Sequence, residues 1–225
     1  MICLTKTKSI ERIAQEIIKG NPVILPTETV YGIGVRYDSQ FAVDNLFTIK
    51  NRSIHKPISL HITKNMLKQF NIANNLQILC DRLFPGPFTI IVESKEQYGF
   101  HSDDIYSGKI GIRVPENQIF QQVLEMTNIP LCMTSANLSE QSSGIEFDKI
   151  ELNNNIVGMN KKYCNQREVK EAKIKERFEI QHEINIPRNK AFHKEIFGVE
   201  NDGNVYGKES IIIDTTVNPM RGMRI

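Results

Sequence analysis

The stretch PVILPTETVYGIG, residues 22–34, begins as a buried strand and then changes character. Its apolar residues 23–25 are followed by a proline and by Thr27, Glu28 and Thr29. Polar groups at the end of a buried strand need hydrogen-bond partners or a ligand, because their burial is otherwise unfavourable. We therefore interpret the two threonines as residues that line a cavity. The two glycines that follow are expected to remove side chains where the backbone approaches another layer or the ligand.

The rest of the chain alternates between helical and strand patterns. Apolar residues recur at helical spacing, the first time behind Ser9 as N-cap, and predict helices at 10–18, 40–50, 64–70, 74–83 and 117–126. Short apolar runs predict strands at 22–26, 32–36, 57–62, 88–93, 109–115, 129–134 and 209–216. This alternation with short connections predicts an α/β fold of mixed α+β type, with helices packed on the faces of a sheet.

The composition is that of an ordinary globular protein. The chain has 225 residues, of which 40% are hydrophobic and 24% charged. Residues 1–225 are expected to form one domain, with a charged and mostly exposed insertion at about 152–200. No apolar run approaches the ~20 residues that span a bilayer, and the amino terminus does not resemble a signal peptide. The four cysteines lie far apart, so we predict a cytoplasmic protein with free thiols.

The charges are unevenly distributed, although the formal net charge is only +2. Between Asn45 and Cys80 there is no aspartate or glutamate, whereas this segment contains basic residues throughout: Lys50, Arg52, Lys56, Lys64 and Lys68, with His55 and His61. Such a segment suits an anionic ligand, either a nucleotide phosphate or an RNA backbone. A solvated basic surface is the alternative explanation.

Several predicted strands end in hydroxyl, amide or basic side chains, which are suited to orienting a ligand and to neutralising phosphate. Each of these side chains also has a structural explanation when taken alone. Ser135 and Asn137 could cap a turn, Arg113 could pair with Glu116, and His61 could be a buried ring. Their joint placement favours a ligand site, although the sequence contains neither a G-x-G-x-x-G nor a G-x-x-x-x-G-K-[ST] motif.

The chain contains five separated motifs: PTETVYGIG (26–34), IKNRSIHKPISLHI (49–62), FPGPFTIIV (84–92), GIRVP (111–115) and TSANLS (134–139). In this order and with these gaps they resemble the YrdC family, the threonylcarbamoyl-AMP synthases. The resemblance runs from about residue 10 to 145 and resumes at about 203 to 225. It implies a single-domain, three-layer fold with a twisted mixed sheet flanked by helices around a concave basic cavity.

The resemblance also implies an activity, cofactors and partners. L-threonine, bicarbonate and ATP would be condensed to threonylcarbamoyl-AMP and pyrophosphate, a nucleotidyl transfer that serves tRNA modification. Mg²⁺ would accompany ATP, and bicarbonate would be a co-substrate. The expected partners are a threonylcarbamoyl-transferase complex acting on tRNA and, weakly, double-stranded tRNA itself.

Roles for individual residues follow from the same resemblance. The L-threonine contacts would be Thr29, Tyr31, His61, Arg113, Met133 and Ser210, with Arg113 clamping the carboxylate and Met133 contributing only its backbone. The ATP contacts would be Lys50, Arg52, Lys56, Lys109, Ser135, Asn137, Ser143, and Arg221 or Arg224. Lys109 replaces the small hydroxyl residue usual in the family, where it could add a phosphate contact or crowd the site. No covalent nucleophile and no metal ligand from the protein are expected.

Two other functions are compatible with parts of the pattern. A non-catalytic RNA-binding module would use the basic segment but gives no reason for Thr29, His61 and Arg113 at strand ends. A carbamoyl-adenylate-forming enzyme of the hydrogenase-maturation kind contains a related domain but normally also acylphosphatase and zinc-finger segments, which are not visible here.

Overall fold

The computed structural model describes residues 3–7, 9–53, 58–69, 74–93, 109–137, 146–150, 152, 195–199, 206–216 and 221–222. The strands in these ranges are β1 (Cys3–Thr7), β2 (Val23–Leu25), β3 (Gly32–Arg36), β4 (Ser59–His61), β5 (Phe88–Glu93), β6 (Lys109–Arg113), β7 (Leu131–Ser135), β8 (Glu195–Val199), β9 (Ile211–Asp214) and β10 (Arg221–Gly222). The helices are α1 (Ile10–Ile18), α2 (Gln40–Ile49), α3 (Asn74–Leu83) and α4 (Gln118–Thr127), with 3₁₀ helices at Met66–Gln69 and Phe147–Lys149. Every predicted element is present, except that the helix expected at 64–70 is only the first of these 3₁₀ helices.

The strands form one mixed sheet in the order β1-β8-β2-β3-β7-β4-β6-β5-β9-β10. The pairs β1–β8, β8–β2, β4–β6 and β5–β9 are parallel. The other neighbouring pairs are antiparallel. Among them, β2 and β3 are joined through residues 26–31, so that Leu25 lies opposite Gly32. The predicted mixed sheet is confirmed.

Helices cover both faces of this sheet, as predicted. Because side chains alternate along a strand, Ile24 packs into the core that includes α2 and α3, whereas Val23 and Leu25 pack with α1 and α4. Ser9 caps α1 by accepting a hydrogen bond from Arg12 N at 3.1 Å. The result is a three-layer arrangement of helices, sheet and helices.

Strand β8 lies at the end of the stretch, about 152–200, that the sequence predicts to be a charged and mostly exposed insertion, and it corrects this prediction for Glu195–Val199 only. It lies between β1 and β2, and the side chain of Ile196 is fully buried. A Cβ atom at Gly198 would lie 2.2 Å from the Phe147 ring, so a side chain there would displace this ring from the core. The strand was missed because it is short, follows a charged stretch and pairs with strands near the amino terminus. Leu152 is also buried, and residues 153–194 lie outside the described residues.

The glycines of the opening stretch make room for a methionine of the neighbouring strand. Gly34 is registered opposite Met133, and a Cβ on Gly34 would lie 1.8 Å from Met133 Sδ. A Cβ on Gly32 would lie 2.6 Å from Met133 Cε. The predicted approach to another layer or to the ligand is therefore not what these contacts show: the two glycines make room for a side chain of the neighbouring strand β7 in the same sheet.

The sheet face that carries α1 and α4 divides into two halves. On β2 and β7 it is apolar and lies beneath the two helices. On β4, β5 and β6 the same face carries polar side chains or no side chain apart from Ile91, which lies opposite Gly111. We call the following group the polar half-face: Ser59, His61, Thr89, Gly111 and Arg113. The intervening residues of these strands, such as Leu60 and Ile112, belong to the core on the opposite face. Polar groups on a sheet face in place of core residues mark this half as the position of a site.

Helix α2 ends at a left-handed residue between the two basic residues of the KNR segment. Asn51 has a φ of 47°. Asn51 N donates to Thr48 O at 3.1 Å and Arg52 N donates to Phe47 O at 2.9 Å, which is the hydrogen-bond pattern of a Schellman motif.

Asn51→Ala is expected to lower the free energy of unfolding by about 1 kcal/mol, because alanine tolerates the left-handed region less well than asparagine. Asn51→Gly should leave it nearly unchanged, since glycine has no Cβ. Urea unfolding followed by circular dichroism measures both variants. Equal losses in the two would show that this φ does not govern the helix end.

Candidate functional site

The turn between β2 and β3 is organised by the hydroxyl of Thr27. Its Oγ1 accepts hydrogen bonds from Thr29 N at 3.1 Å and Val30 N at 3.2 Å and donates to Val30 O at 2.7 Å. It also lies 2.9 Å from Thr29 Oγ1. Both threonines are buried. The two hydroxyls thus fix the turn and hold the Thr29 side chain in place.

Arg113, on the polar half-face, binds this turn directly. Its Nη2 donates to Thr29 Oγ1 at 2.8 Å and to Glu28 Oε1 at 2.9 Å. Glu116 does not supply the counter-ion considered from the sequence; instead, its backbone N–H donates to Glu28 Oε2 at 3.1 Å. Burial lowers the pKa of Arg113, and the adjacent Glu28 opposes this shift. Arg113 Nε is buried without a hydrogen-bond partner among the described residues, so the guanidinium retains donor capacity for a ligand.

His61 lies beside Arg113 in the register of β4 and β6. Its Nδ1 is 3.5 Å from Ser59 Oγ, and its ring centroid is 5.6 Å from that of Phe120 in α4. Burial, and secondarily the charge of Arg113, hold the pKa of His61 well below its ordinary value. The ring is therefore neutral at pH 7 and offers one donor and one acceptor.

Residues 206–210 cross from this turn to strand β5. Tyr206 N donates to Glu28 O at 2.7 Å and Gly207 N donates to Thr29 O at 3.0 Å. At the other end, Ser210 Oγ lies 2.9 Å from Thr89 Oγ1 on the polar half-face. The segment therefore brings Ser210 to the same half of the sheet as Arg113.

A second group of predicted residues lies at the end of β7. Lys50 Nζ donates to Asn137 Oδ1 at 2.8 Å and to the backbone carbonyls of Ser135 and Asn137. Lys50 is only 1% exposed. Ala136 N donates to Tyr31 O at 2.8 Å, which connects this loop to the β2–β3 turn. Lys50 is thus a residue that shapes the 135–137 loop, and Arg52, partly exposed two residues later, is the nearer candidate for a ligand contact.

The protonation of Lys50 is finely balanced. Burial, with a smaller contribution from the charge of Arg52, lowers its pKa from 10.5 to about 7. Between these values the unfolded chain binds more protons than the folded protein, so the free energy of unfolding rises with pH across this window.

We expect the wild type to gain about 2 kcal/mol in unfolding free energy relative to Lys50→Met between pH 7 and pH 9, since each pH unit contributes at most about 1.4 kcal/mol. Urea unfolding at several pH values measures the difference, and subtracting the variant removes the contribution of other groups. A difference independent of pH would mean that the three oxygen acceptors keep Lys50 charged throughout.

The remaining predicted site residues make none of the described side-chain contacts to Arg113 or Lys50. The Tyr31 ring is a core side chain whose centroid lies 6.0 Å from that of Phe147. The backbone carbonyl of Met133 accepts a hydrogen bond from Ser59 Oγ at 3.3 Å, and its side chain belongs to the core.

The remaining ATP candidates lie at strand ends or outside the described residues. Lys109 is exposed and registered opposite Glu93. Arg221 belongs to β10, opposite Asp214. The other three candidates, Lys56, Ser143 and Arg224, lie outside the described residues.

Sequence reasoning gave no role to Glu28 and Thr89, which contact the predicted residues directly. The sequence could have indicated a role for Glu28, because a carboxylate at the end of an apolar strand is unusual. It gave no indication for Thr89, since a threonine within a strand is ordinary.

In the part of the chain that the structure describes, three or more carboxylate, imidazole or thiol groups never cluster as they would around a metal ion. No helix in that same part is both long and apolar enough to cross a bilayer. A groove of about 580 Å³ between α1 and α4, lined by residues that include Glu11 and Glu125, contains none of the predicted site residues.

Comparisons with known proteins agree with this fold. A threonylcarbamoyl-AMP synthase of Mus musculus is 28% identical over 147 residues, which are 64% of this chain and 52% of that protein. A protein of Methanocaldococcus jannaschii assigned the same activity is 34% identical over 148 residues, 65% of this chain and 69% of the relative. The crystal structure of Pyrococcus abyssi Sua5 complexed with L-threonine superposes with a TM-score of 0.68 at 23% identity, covering 100% of this chain and 57% of that one.

The chain thus spans about half the length of the mouse relative and of Sua5. The sequence model of the Sua5/YciO/YrdC family, described as telomere recombination, matches residues 15–168. Because this match covers more than half of the chain, the protein belongs to the Sua5/YciO/YrdC family.

Proposed function

We propose that the protein is a threonylcarbamoyl-AMP synthase. It would condense L-threonine, bicarbonate and ATP to threonylcarbamoyl-AMP and pyrophosphate, and so act as a nucleotidyltransferase. The observation that carries the proposal is the pairing of Arg113 with Thr29 at 2.8 Å, connected through the Tyr31–Ala136 hydrogen bond to the loop that Lys50 holds. This connection supports a single site made of two chemically different groups of side chains.

The Arg113 end suits an amino acid with a hydroxyl group. Arg113 can clamp a carboxylate through its remaining N–H groups, since guanidinium donors match carboxylate geometry. Thr29, the neutral His61 and Ser210 supply hydroxyl and imidazole groups for the ammonium and hydroxyl of the ligand. The L-threonine complex of Pyrococcus abyssi Sua5 supports this choice of amino acid.

The loop at 135–137 and the KNR segment suit the nucleotide. ATP would be contacted by Ser135, Asn137 and Arg52. Lys50 would hold the 135–137 loop in place through its buried hydrogen bonds. Lys109, Lys56, Ser143 and either Arg221 or Arg224 remain candidates for further ATP contacts. The sequence from Asn45 to Cys80 contains no carboxylate that would repel phosphate.

The reaction needs positioning more than a protein nucleophile. The threonine amine attacks carbon dioxide derived from bicarbonate, losing a proton and forming an N-carboxylate. An oxygen of this carboxylate then attacks the α-phosphorus of ATP, and the bond to the β-phosphate breaks to release pyrophosphate. Holding the reactants in line can contribute roughly 7–11 kcal/mol to lowering the barrier, and fixed basic groups stabilise the charge that develops on the phosphates.

Mg²⁺ would enter with the nucleotide. The described residues near Ser135 and Asn137 offer hydroxyl, amide and basic groups, which do not form a binding site for the ion by themselves. ATP phosphates commonly supply the main ligands of Mg²⁺ in such sites. When bound, the ion would neutralise phosphate charge.

The proposal is tested by pyrophosphate release from ATP. We expect release only when both L-threonine and bicarbonate are present. Release driven by carbamoyl phosphate instead would identify a carbamoyl-adenylate enzyme of the hydrogenase-maturation kind. RNA binding that weakens steeply with salt, without any pyrophosphate release, would identify a binding module.

We further propose that the product passes to a threonylcarbamoyl-transferase complex that acts on tRNA. The activity named for the relatives supports a place in tRNA modification. Weak binding of double-stranded tRNA and a cytoplasmic location are part of this proposal. Transfer of the threonylcarbamoyl group to tRNA in a reconstituted mixture would test it.

A further inference from the structure

Glu28 is the one charged residue of the PTETVYG segment, and the proposed function assigns it no role. Its side chain is 8% exposed. Both carboxylate oxygens are engaged, one by Arg113 Nη2 at 2.9 Å and the other by Glu116 N at 3.1 Å. Its backbone carbonyl accepts from Tyr206 at 2.7 Å. A buried carboxylate in a site that handles anions requires an explanation, because it opposes the charge of the ligand.

The two ends of the site differ in charge because of this carboxylate. At the Arg113 end, one guanidinium is matched by Glu28 in a buried ion pair, and His61 is neutral. Lys208 and Glu209 of the crossing segment, which lie next to this end, bring one charge of each sign. At the other end, Lys50 and Arg52 belong to a segment without any carboxylate.

We infer that Glu28 determines which class of ligand the Arg113 end accepts, namely a zwitterion of zero net charge in preference to phosphate. The inference rests on the proposed function for the identity of that zwitterion. An amino acid brings one carboxylate and one ammonium, and Arg113 has donors left after Nη2 is used. Phosphate and pyrophosphate carry several negative charges, which would meet the Glu28 carboxylate at short range.

Repulsion of this kind is a means of specificity. A like charge placed against an unwanted ligand lowers its affinity by about 100-fold or more in a buried site. Without Glu28, the Arg113 end would be a second cationic site beside the nucleotide end. Pyrophosphate, the product, would then compete with the amino acid as well as with ATP.

The experiment counts pyrophosphate sites by isothermal titration calorimetry on the full chain. We expect one site in the wild type and one in Glu28→Asp, which keeps the charge. Glu28→Gln should gain a second pyrophosphate site at the Arg113 end. The affinity of this end for pyrophosphate should be about 100-fold higher in the variant than in the wild type. L-threonine should displace pyrophosphate from this second site only. An unchanged site number in Glu28→Gln overturns the inference.

Glu16 provides a matched control. It is another buried glutamate, 4% exposed, that pairs with Arg12 of α1 and with Lys19 directly after this helix. Glu16→Gln should lose stability without gaining a pyrophosphate site. If it gains one as well, loss of a buried carboxylate acts generally and the assignment to Glu28 is wrong.

A measurement on the wild type decides the matter if Glu28→Gln does not fold. Inorganic phosphate should fail to displace L-threonine from the wild-type protein, and competitive displacement would overturn the inference. The proposed function fails separately, if the wild type does not bind L-threonine at all. In that case the gain of a pyrophosphate site in Glu28→Gln still tests the role of Glu28.

Discussion

Arg113→Ala is expected to raise the KM for L-threonine by about 100- to 1000-fold while changing the KM for ATP by less than about threefold. The size follows from the 2–5 kcal/mol or more that is typical for truncating one partner of a buried, hydrogen-bonded charge pair. The effect is confined to the amino acid because the contacts of Arg113 are with Thr29 and Glu28, not with the 135–137 loop. Pyrophosphate release at varied threonine and at varied ATP measures the two constants. Equal rises in both would contradict this division of the site.

The same change leaves Glu28 as an uncompensated buried charge, so a loss of about 3–5 kcal/mol in stability is expected as well. Arg113→Lys keeps the charge and separates the two effects, because it retains an ion pair but loses the planar fork. Arg36→Ala is the matched control. Arg36 is also buried, pairs with Asp38 and donates to Ile18 O at 2.8 Å. It should destabilise the protein without a selective effect on threonine.

How much of this site the sequence predicts depends on whether its contacts are local. The β2–β3 hairpin, the cap at Ser9 and the helix end at residue 50 are local features, and the sequence indicates each of them. The family resemblance supplied Thr29, Arg113 and Ser135 as site residues, and the structure connects all three. What pattern reasoning alone could not supply was which distant groups would pair.

The contacts and the strand that the sequence did not predict have the same physical origin. Pairing of Arg113 with Glu28 joins residues 85 positions apart, whereas the sequence suggested the nearby Glu116. Strand β8 pairs with β1 and β2 near the amino terminus, so the pattern of its own five residues does not predict a core strand. The charge of Lys50 predicts a phosphate contact, and the structure adds hydrogen bonds from its ammonium to carbonyl oxygens of the loop, which the sequence does not indicate. Long-range pairing decides each of these cases, and single-sequence periodicity does not report it.

Arg52→Ala is expected to lower kcat/KM for pyrophosphate release by about 100- to 1000-fold, the usual cost of removing one group that stabilises transition-state charge. The fold should remain nearly intact for two reasons. Arg52 is partly exposed, and the hydrogen bond to Phe47 O at the end of α2 is made by its backbone N–H, which alanine keeps. The unfolding free energy should therefore change by less than about 1 kcal/mol.

The control for this prediction is Arg82→Ala, which removes an exposed arginine from the last turn of α3. It lowers the net positive charge equally, so any general effect of charge on ATP binding appears in both variants. A loss of activity in Arg52→Ala alone places the effect at the site, because Arg52, unlike Arg82, lies two residues after Lys50, which binds the 135–137 loop. Near-normal turnover by Arg52→Ala would show instead that the phosphates are held by other residues, and the assignment of the nucleotide end to the KNR segment would then be wrong.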